Sequence, residues 1–332
     1  MSARLKRIHF RRGFLWLTVG LGLFLALLIA LFWPVSVKGY TSHPSPVQSY
    51  SQAEMQIQTM QNQEASDHNP VCKTQFMSHG EKAQRVIVFI HGYTNCPHQF
   101  VELGKLFYEE GYNVLIAPLP RHGLADRMTE VLAELQAEEL VSYADRVVDI
   151  AQGLGDHVTV AGISGGGVVT GWIAQNRPDV DLAVLLSPAF GYAQVPPYLT
   201  LPASKVYLLL PNSFVWWNEE LRENNPPSHA YPRYSTRALA QLLRLSLVVQ
   251  AQARQQDPLA QEILVVTNTN DQSVNMPLIQ KVVGLWRQYR GNELQTYEFP
   301  AELELDHDLI DPSHPKEKID IVYPVLIDLI AQ

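Results

Sequence analysis

Residues 158–169, VTVAGISGGGVV, decide the architecture. They read as a short apolar strand, a tight glycine-bounded turn and the start of a helix. Within them Gly162-Ile163-Ser164-Gly165-Gly166 fits G-x-S-x-G. That spacing lets the serine sit on a strained strand-to-helix elbow while small residues two positions either side allow the backbone to pass close. The helix that follows aims its N-terminus, and the N–H of Gly165, at the space beside Ser164. The competing reading is a glycine-rich turn with an idle serine. The preceding VTVA and the helix-compatible run after it argue against that.

Working outward, Val86–Ile90 (VIVFI) is a continuous apolar run, as suits a central strand covered on both faces. It ends in His91-Gly92-Tyr93-Thr94, where Gly92 permits a sharp turn that points the Tyr93 N–H into a cleft. Tyr93 and Gly165 are then a natural pair of backbone donors for an oxyanion. His91 is expected to hydrogen-bond within its loop, His98 to lie on the rim, and His122 to be structural. NVLIAP, the helical run 137–152, the elbow and LAVLLSP (182–188) continue an alternation of strand and helix. That alternation predicts a mostly parallel sheet with helices on both faces, an α/β architecture.

Upstream, Cys72–Met77 and Arg85–Ile90 read as two strands around a turn at 79–82. Paired as a hairpin they would bring Cys72 near the loop carrying Cys96. The two cysteines are then expected to form a disulfide, the alternative being two separate buried thiols. Residues 34–50, rich in Pro, Ser, Thr and Tyr, read as a spacer. Residues 51–65 suit a short helix with Met55, Ile57 and Met60 on one side.

Residues 14–33 carry no charge, and Arg4, Lys6, Arg7, Arg11 and Arg12 precede them. About 20 apolar residues span a bilayer core, and the cationic flank predicts a cytoplasmic N-terminus with the rest extracytoplasmic. A cleaved leader is the alternative, but the run is long for one and Phe32-Trp33-Pro34 is no small-residue cleavage site. The expected organisation is a basic segment 1–13, a transmembrane anchor 14–33, a linker with a short helix 34–70, and a domain 71–332. The chain has 332 residues, 46% of them hydrophobic, enough for a large core. Its net charge of −8, with no basic cluster beyond the N-terminus, argues against nucleic acid as a partner. It offers no metal-ligand cluster and no phosphate-binding fingerprint, so no cofactor or metal is implied.

With the elbow at Ser164 and the His91-Gly92-Tyr93-Thr94 turn in place, residues 72–332 resemble the α/β-hydrolase superfamily. The likeness is to its carboxylesterases and monoacylglycerol-lipase-like serine hydrolases. The resemblance implies a cap inserted at about 189–260, whose Phe214, Trp216 and Trp217 would line an acyl pocket, the alternative being that they pack the cap onto the sheet. It implies that the triad acid follows the EILVV strand, where Asp271 stands. It places the catalytic histidine after the last strand, at His307 rather than at His314 beside Pro315. The order Ser164, Asp271, His307 is the one this fold uses. The resemblance thus implies a serine hydrolase of carboxylic esters, of the acyl-lipid kind. A thioesterase or amidase with the same machinery, and a non-catalytic binding module on the same fold, are the alternatives.

Overall fold

The computed structural model describes residues 2–64, 67–217, 229–290 and 294–331, with side chains from residue 16 onward except that of Arg290. The cations at 4–12 and the Asn224–Pro227 run therefore lie outside the described side chains.

Among the described residues seven strands form one sheet in the order β1-β3-β2-β4-β5-β8-β9. They are β1 (Gln75–Met77), β2 (Ala83–Ile90), β3 (Tyr112–Ile116), β4 (Gly155–Ile163), β5 (Leu182–Leu186), β8 (Glu262–Asn268) and β9 (Leu294–Phe299). All neighbours are parallel except β1, which runs antiparallel along β3. The hairpin expected between the first two strands is therefore not formed. Both edges of β2 are taken by the parallel partners β3 and β4, so β1 is left with the outer edge of β3.

The unbroken apolar strands are explained by cover on both faces. Val86, Val88 and Ile90 point into one cluster, shared with α4 (Ala137–Leu154) and α5 (Gly165–Asn176). Ile87 and Phe89 point into a second, shared with α3 (Val101–Glu109) and the closing helix 319–330. The chain leaves β2 toward β3 on one side and reaches β4 on the other. The connections that leave the carboxyl ends of the paired strands β2 and β4 thus run in opposite directions, and such a switch is the usual place for a crevice and a site in an open α/β sheet.

Between β5 and β8 the chain leaves the sheet to build helix α6 (Thr200–Leu209), a ribbon of β6 (Phe214–Trp216) with β7 (Arg233–Ser235), and helix α7 (Thr236–Gln252). Two further helices, α8 (Met276–Arg290) and α9 (Ile319–Ile330), complete the layers.

At the N-terminus, α1 (Ser2–Phe32) is a continuous helix whose apolar side chains, Trp16, Leu23, Leu27 and Ile29 among them, are exposed. Among the described residues no helix is long and apolar enough to cross a membrane. The end of α1 rests on α6, where Lys205 Nζ donates to the carbonyls of Ala30 and Trp33 at 2.7 and 2.5 Å.

The segment after it is not a free spacer. Tyr40 and Val47 are buried. The Trp172 indole N–H donates to Tyr40 O at 2.8 Å. The amides of His43 and Ser45 donate to Asp145 and Asp149 of α4, at 2.8 and 2.9 Å. Helix α2 (Tyr50–Gln63) then docks through Ala53 and Ile57, while Met55 faces solvent.

Those two aspartates also receive Arg177, whose side chain has no exposed surface. Its guanidinium meets Asp145 at 3.1 Å and Asp149 and Asp179 at 2.7 Å each. A buried cation with three carboxylates is costly to break from one side, because the carboxylates stay behind uncompensated. Arg177→Met is expected to lose about 3–5 kcal/mol of stability. Lys82→Met, which breaks the exposed pair with Asp156, is expected to lose at most about 1 kcal/mol. Urea melts of the two variants check this, and similar midpoints would refute it.

Candidate active site

Ser164 leaves the end of β4 with φ 56° and ψ −113°, a conformation that only the surrounding packing sustains. Its N–H donates to Leu186 O of β5 at 2.9 Å, and its carbonyl accepts from Val168 and Ala189 at 3.1 and 3.0 Å. The flanking glycines are steric necessities. A Cβ on Gly162 would strike Gly166 O and Thr170 Oγ1, and one on Gly166 would strike Ile90 O. A Cβ on Gly165 would stand 3.1 Å from Tyr93 Cβ and 3.3 Å from Tyr93 N. The glycine after the serine therefore makes room for Tyr93 and brings the two proposed donor amides side by side.

The direction of the Tyr93 amide is set by His91. Leu119 N–H donates to His91 Nε2 at 2.9 Å, so the ring proton sits on Nδ1, which donates to Gly92 O at 2.8 Å. Asn95 N–H donates to the same carbonyl at 3.1 Å. The peptide is trans, so fixing its C=O fixes the Tyr93 N–H on the opposite side. Burial, helped by neighbouring His122, holds the His91 pKa well below the usual imidazole value, which keeps that single-proton form. The Tyr93 hydroxyl accepts from Ser235 N–H at 3.1 Å, at the start of α7, and so ties this loop to the cap.

His307 Nδ1 lies 2.7 Å from Asp271 Oδ2. Asp271 stands in the loop after β8 and His307 in the loop after β9, at the same edge of the sheet as Ser164. The Asp271 side chain is fully covered, whereas that of His307 is 21% exposed, open on one side. Asp271 Oδ1 is also held by the amides of Ser273 and Val274, at 2.9 and 3.3 Å. Burial works against ionisation of both partners, yet their mutual charge and hydrogen bond win. The Asp271 pKa is lowered and that of His307 raised, with Asp308 and Asp306 adding to the latter.

A cleft of about 450 Å3 opens over Ser164 and Gly165. Its walls include Tyr93, Trp216, Trp217, Leu239 and Leu243, and Ser273 reaches it from the Asp271 loop. Phe214 is not part of it. It lies under the Arg233 guanidinium, 4.3 Å from the ring centre, and lines a separate hollow with Glu130 and Arg237.

The remaining histidines have other partners. His122 is buried, bonds Pro120 O through Nδ1 at 2.8 Å, and has its pKa lowered by burial to about 4. His98 lies on the His229 ring, centroids 4.6 Å apart. His314 Nδ1 accepts from Lys316 N–H in its own loop. Cys72 and Cys96 are joined by a disulfide with Cα atoms 5.3 Å apart. Gln99, Asn95, His229, Asp308 and Asp311, which the sequence did not single out, form a polar network behind the histidine loop.

A family profile described as "Alpha/beta hydrolase family" matches residues 87–319. A thermostable monoacylglycerol lipase of Bacillus sp. (strain H-257) is 24% identical over 196 residues, 54% of this chain and 69% of that protein. Among solved structures, one described under the metagenome-derived lipolytic enzymes LipS and LipT has a TM-score of 0.60 at 15% identity. It covers 79% of this chain and 98% of its own. A monoacylglycerol lipase of Paleococcus ferrophilus has a TM-score of 0.57 at 16% identity, covering 77% and 96%. At such identities the structural likeness speaks for the fold.

Proposed function

The chain belongs to the alpha/beta hydrolase family, and from that premise we propose that it is a membrane-anchored serine hydrolase of carboxylic esters. The substrates are acyl lipids of the monoacylglycerol kind. The observation that carries this reading is the pairing of His307 with Asp271 at 2.7 Å, on the crest of the sheet that also presents the strained Ser164. The likeness to a bacterial monoacylglycerol lipase supports the substrate class, and so does a cleft walled by Trp216, Trp217 and leucines.

In this reading His307 Nε2 takes the proton of Ser164 Oγ as the oxygen attacks the ester carbonyl. The tetrahedral oxyanion sits on the N–H groups of Tyr93 and Gly165. Collapse breaks the ester C–O bond, and His307 returns the proton to the leaving alcohol. Water then repeats the sequence on the acyl-enzyme, releasing the fatty acid and regenerating Ser164. Asp271 holds the ring and stabilises its charged form.

The anchor rests on the uncharged run 14–33 with its five preceding cations and on the exposed apolar flank of α1 from Trp16 to Phe32. It sets the N-terminus in the cytoplasm and the remaining chain outside, where a disulfide persists.

One experiment addresses both parts. Alkali-washed membranes from cells making the full chain are treated with a fluorophosphonate and assayed on p-nitrophenyl esters of graded acyl length. A labelled band in the pellet and faster turnover of medium or long chains are expected. Label only in the supernatant removes the anchor. A steep preference for acetyl esters removes the lipid substrate.

A further inference from the structure

Gln99 joins the two loops on which the chemistry depends. Its side-chain Oε1 accepts the Gly92 N–H at 2.8 Å, and its Nε2 donates to Asp308 Oδ2 at 2.8 Å. Gly92 precedes Tyr93, the proposed oxyanion donor, and Asp308 follows His307, the proposed base. The residue is buried. It is not among the described residues that line the cleft, and its two side-chain hydrogen bonds run to these two neighbours.

The far end of the link is rigid. Asp308 Oδ1 accepts the amides of Ile310 and Asp311 at 3.3 and 3.2 Å, which fixes its carboxyl to the loop. Asn95 Nδ2 spans Asp308 and Asp311 at 3.4 and 3.0 Å. Asp311 also meets His229 Nε2 of the cap segment at 2.7 Å. The near end is rigid too, because Gly92 O is held by His91 and Asn95. A primary amide suits the gap, since one side must accept from a backbone N–H and the other must donate to a carboxylate. A glutamate would set a second carboxylate against Asp308, and an aliphatic side chain would orphan both ends.

We propose that Gln99 is a positioning residue for ester hydrolysis: its amide fixes the distance and orientation between the Tyr93 N–H and the His307 ring, which must converge on one tetrahedral carbon. The proposal rests on the roles given above to Ser164, Asp271 and His307.

It has an electrostatic signature that a space-filling role lacks. The charged groups facing His307 are Asp271 from the β8 loop and Asp306 and Asp308 from its own. Those facing Asp308 are Asp311, His314 and His307, and Asp311 in turn faces His229. Burial, with the charge of Asp311, raises the Asp308 pKa, and the Gln99 hydrogen bond opposes that rise. Losing the bond favours neutral Asp308 and withdraws a negative charge from beside His307. The imidazole pKa falls, and the acidic limb of kcat/KM moves to lower pH.

The test uses the full chain in detergent with a p-nitrophenyl ester across the acidic and neutral range, comparing Gln99→Met, Asp308→Asn, their double variant and Ser164→Ala. Gln99→Met is expected to lower kcat about 10- to 100-fold with KM within about threefold, the scale of a misplacement near 1 Å. Its acidic limb is expected to shift down, as is that of Asp308→Asn, with no further shift in the double variant. Parental kcat in Gln99→Met, or a lowered kcat with an unmoved limb, overturns the proposal. Should Gln99→Met not fold, Asp308→Asn alone decides, because an unmoved limb there breaks the coupling. Turnover surviving in Ser164→Ala instead removes the underlying reading, whatever Gln99 does.

Discussion

Ser164→Ala is expected to lower kcat for any ester the protein turns over by about a million-fold, the loss typical when a serine nucleophile of this kind is deleted. The size follows from what the hydroxyl does. In the proposed mechanism it is the atom that becomes acylated, so no neighbouring group can substitute for it. Binding and the Tyr93 and Gly165 amides remain, so a residual rate about 10³–10⁴-fold over water is expected to survive. The fold should hardly notice. The side chain lines the cleft, its removal opens no internal void, and a change within about 1 kcal/mol is expected. The measurement is paired: ester turnover, and intact mass after a fluorophosphonate. Retention of turnover together with the added mass in the alanine variant would eliminate Ser164 as nucleophile.

Much of this was legible in the chain because the signals were local. A five-residue apolar run between turn residues suits a strand covered on both faces, and VIVFI and LAVLL occupy central strands. The elbow was legible because two steric constraints, at Gly162 and Gly166, fall within five residues of each other. Asp271 and His307 follow from the family resemblance, which places the acid and the histidine in loops after successive strands, with a valine close behind the acid.

What escaped depends on partners far along the chain. β1 is three residues long, too short for its own alternation to choose between β2 and β3. The docking of residues 40–47 is decided by Asp145 and Asp149, about a hundred positions away, and these in turn by Arg177. Gln99 and Asp308 are 209 positions apart. Nothing in NCPHQF announces that one of its polar side chains is a brace. The resemblance puts Phe214 in the pocket with Trp216 and Trp217, but it packs under the Arg233 guanidinium and lines a separate hollow instead.

Asp271→Asn is expected to lower kcat by about 10⁴-fold and to move its pH dependence as well. In the proposed mechanism the carboxylate serves His307 in two ways. Accepting from Nδ1 at 2.7 Å, it leaves Nε2 free of a proton and able to receive one from Ser164. Its charge then stabilises the imidazolium formed when that proton arrives. An asparagine can turn its NH2 toward Nδ1, which places the ring proton on Nε2, the wrong side for a base. The pH effect has a definite sign. As the proposed base His307 must be neutral to act, and its pKa is raised because Asp271, with Asp308 and Asp306, outweighs burial. In the parent, kcat/KM therefore rises with pH through a value above that of an ordinary histidine. In the variant the largest favourable contribution is gone while burial remains, so the imidazole pKa falls and the acidic limb of the residual activity moves to lower pH. The pH profiles of parent and variant, taken after removing any trace of parent by phosphonate titration, decide it. A limb that stays in place, or moves upward, means that Asp271 is not the group that sets the charge of His307, whatever the loss in rate.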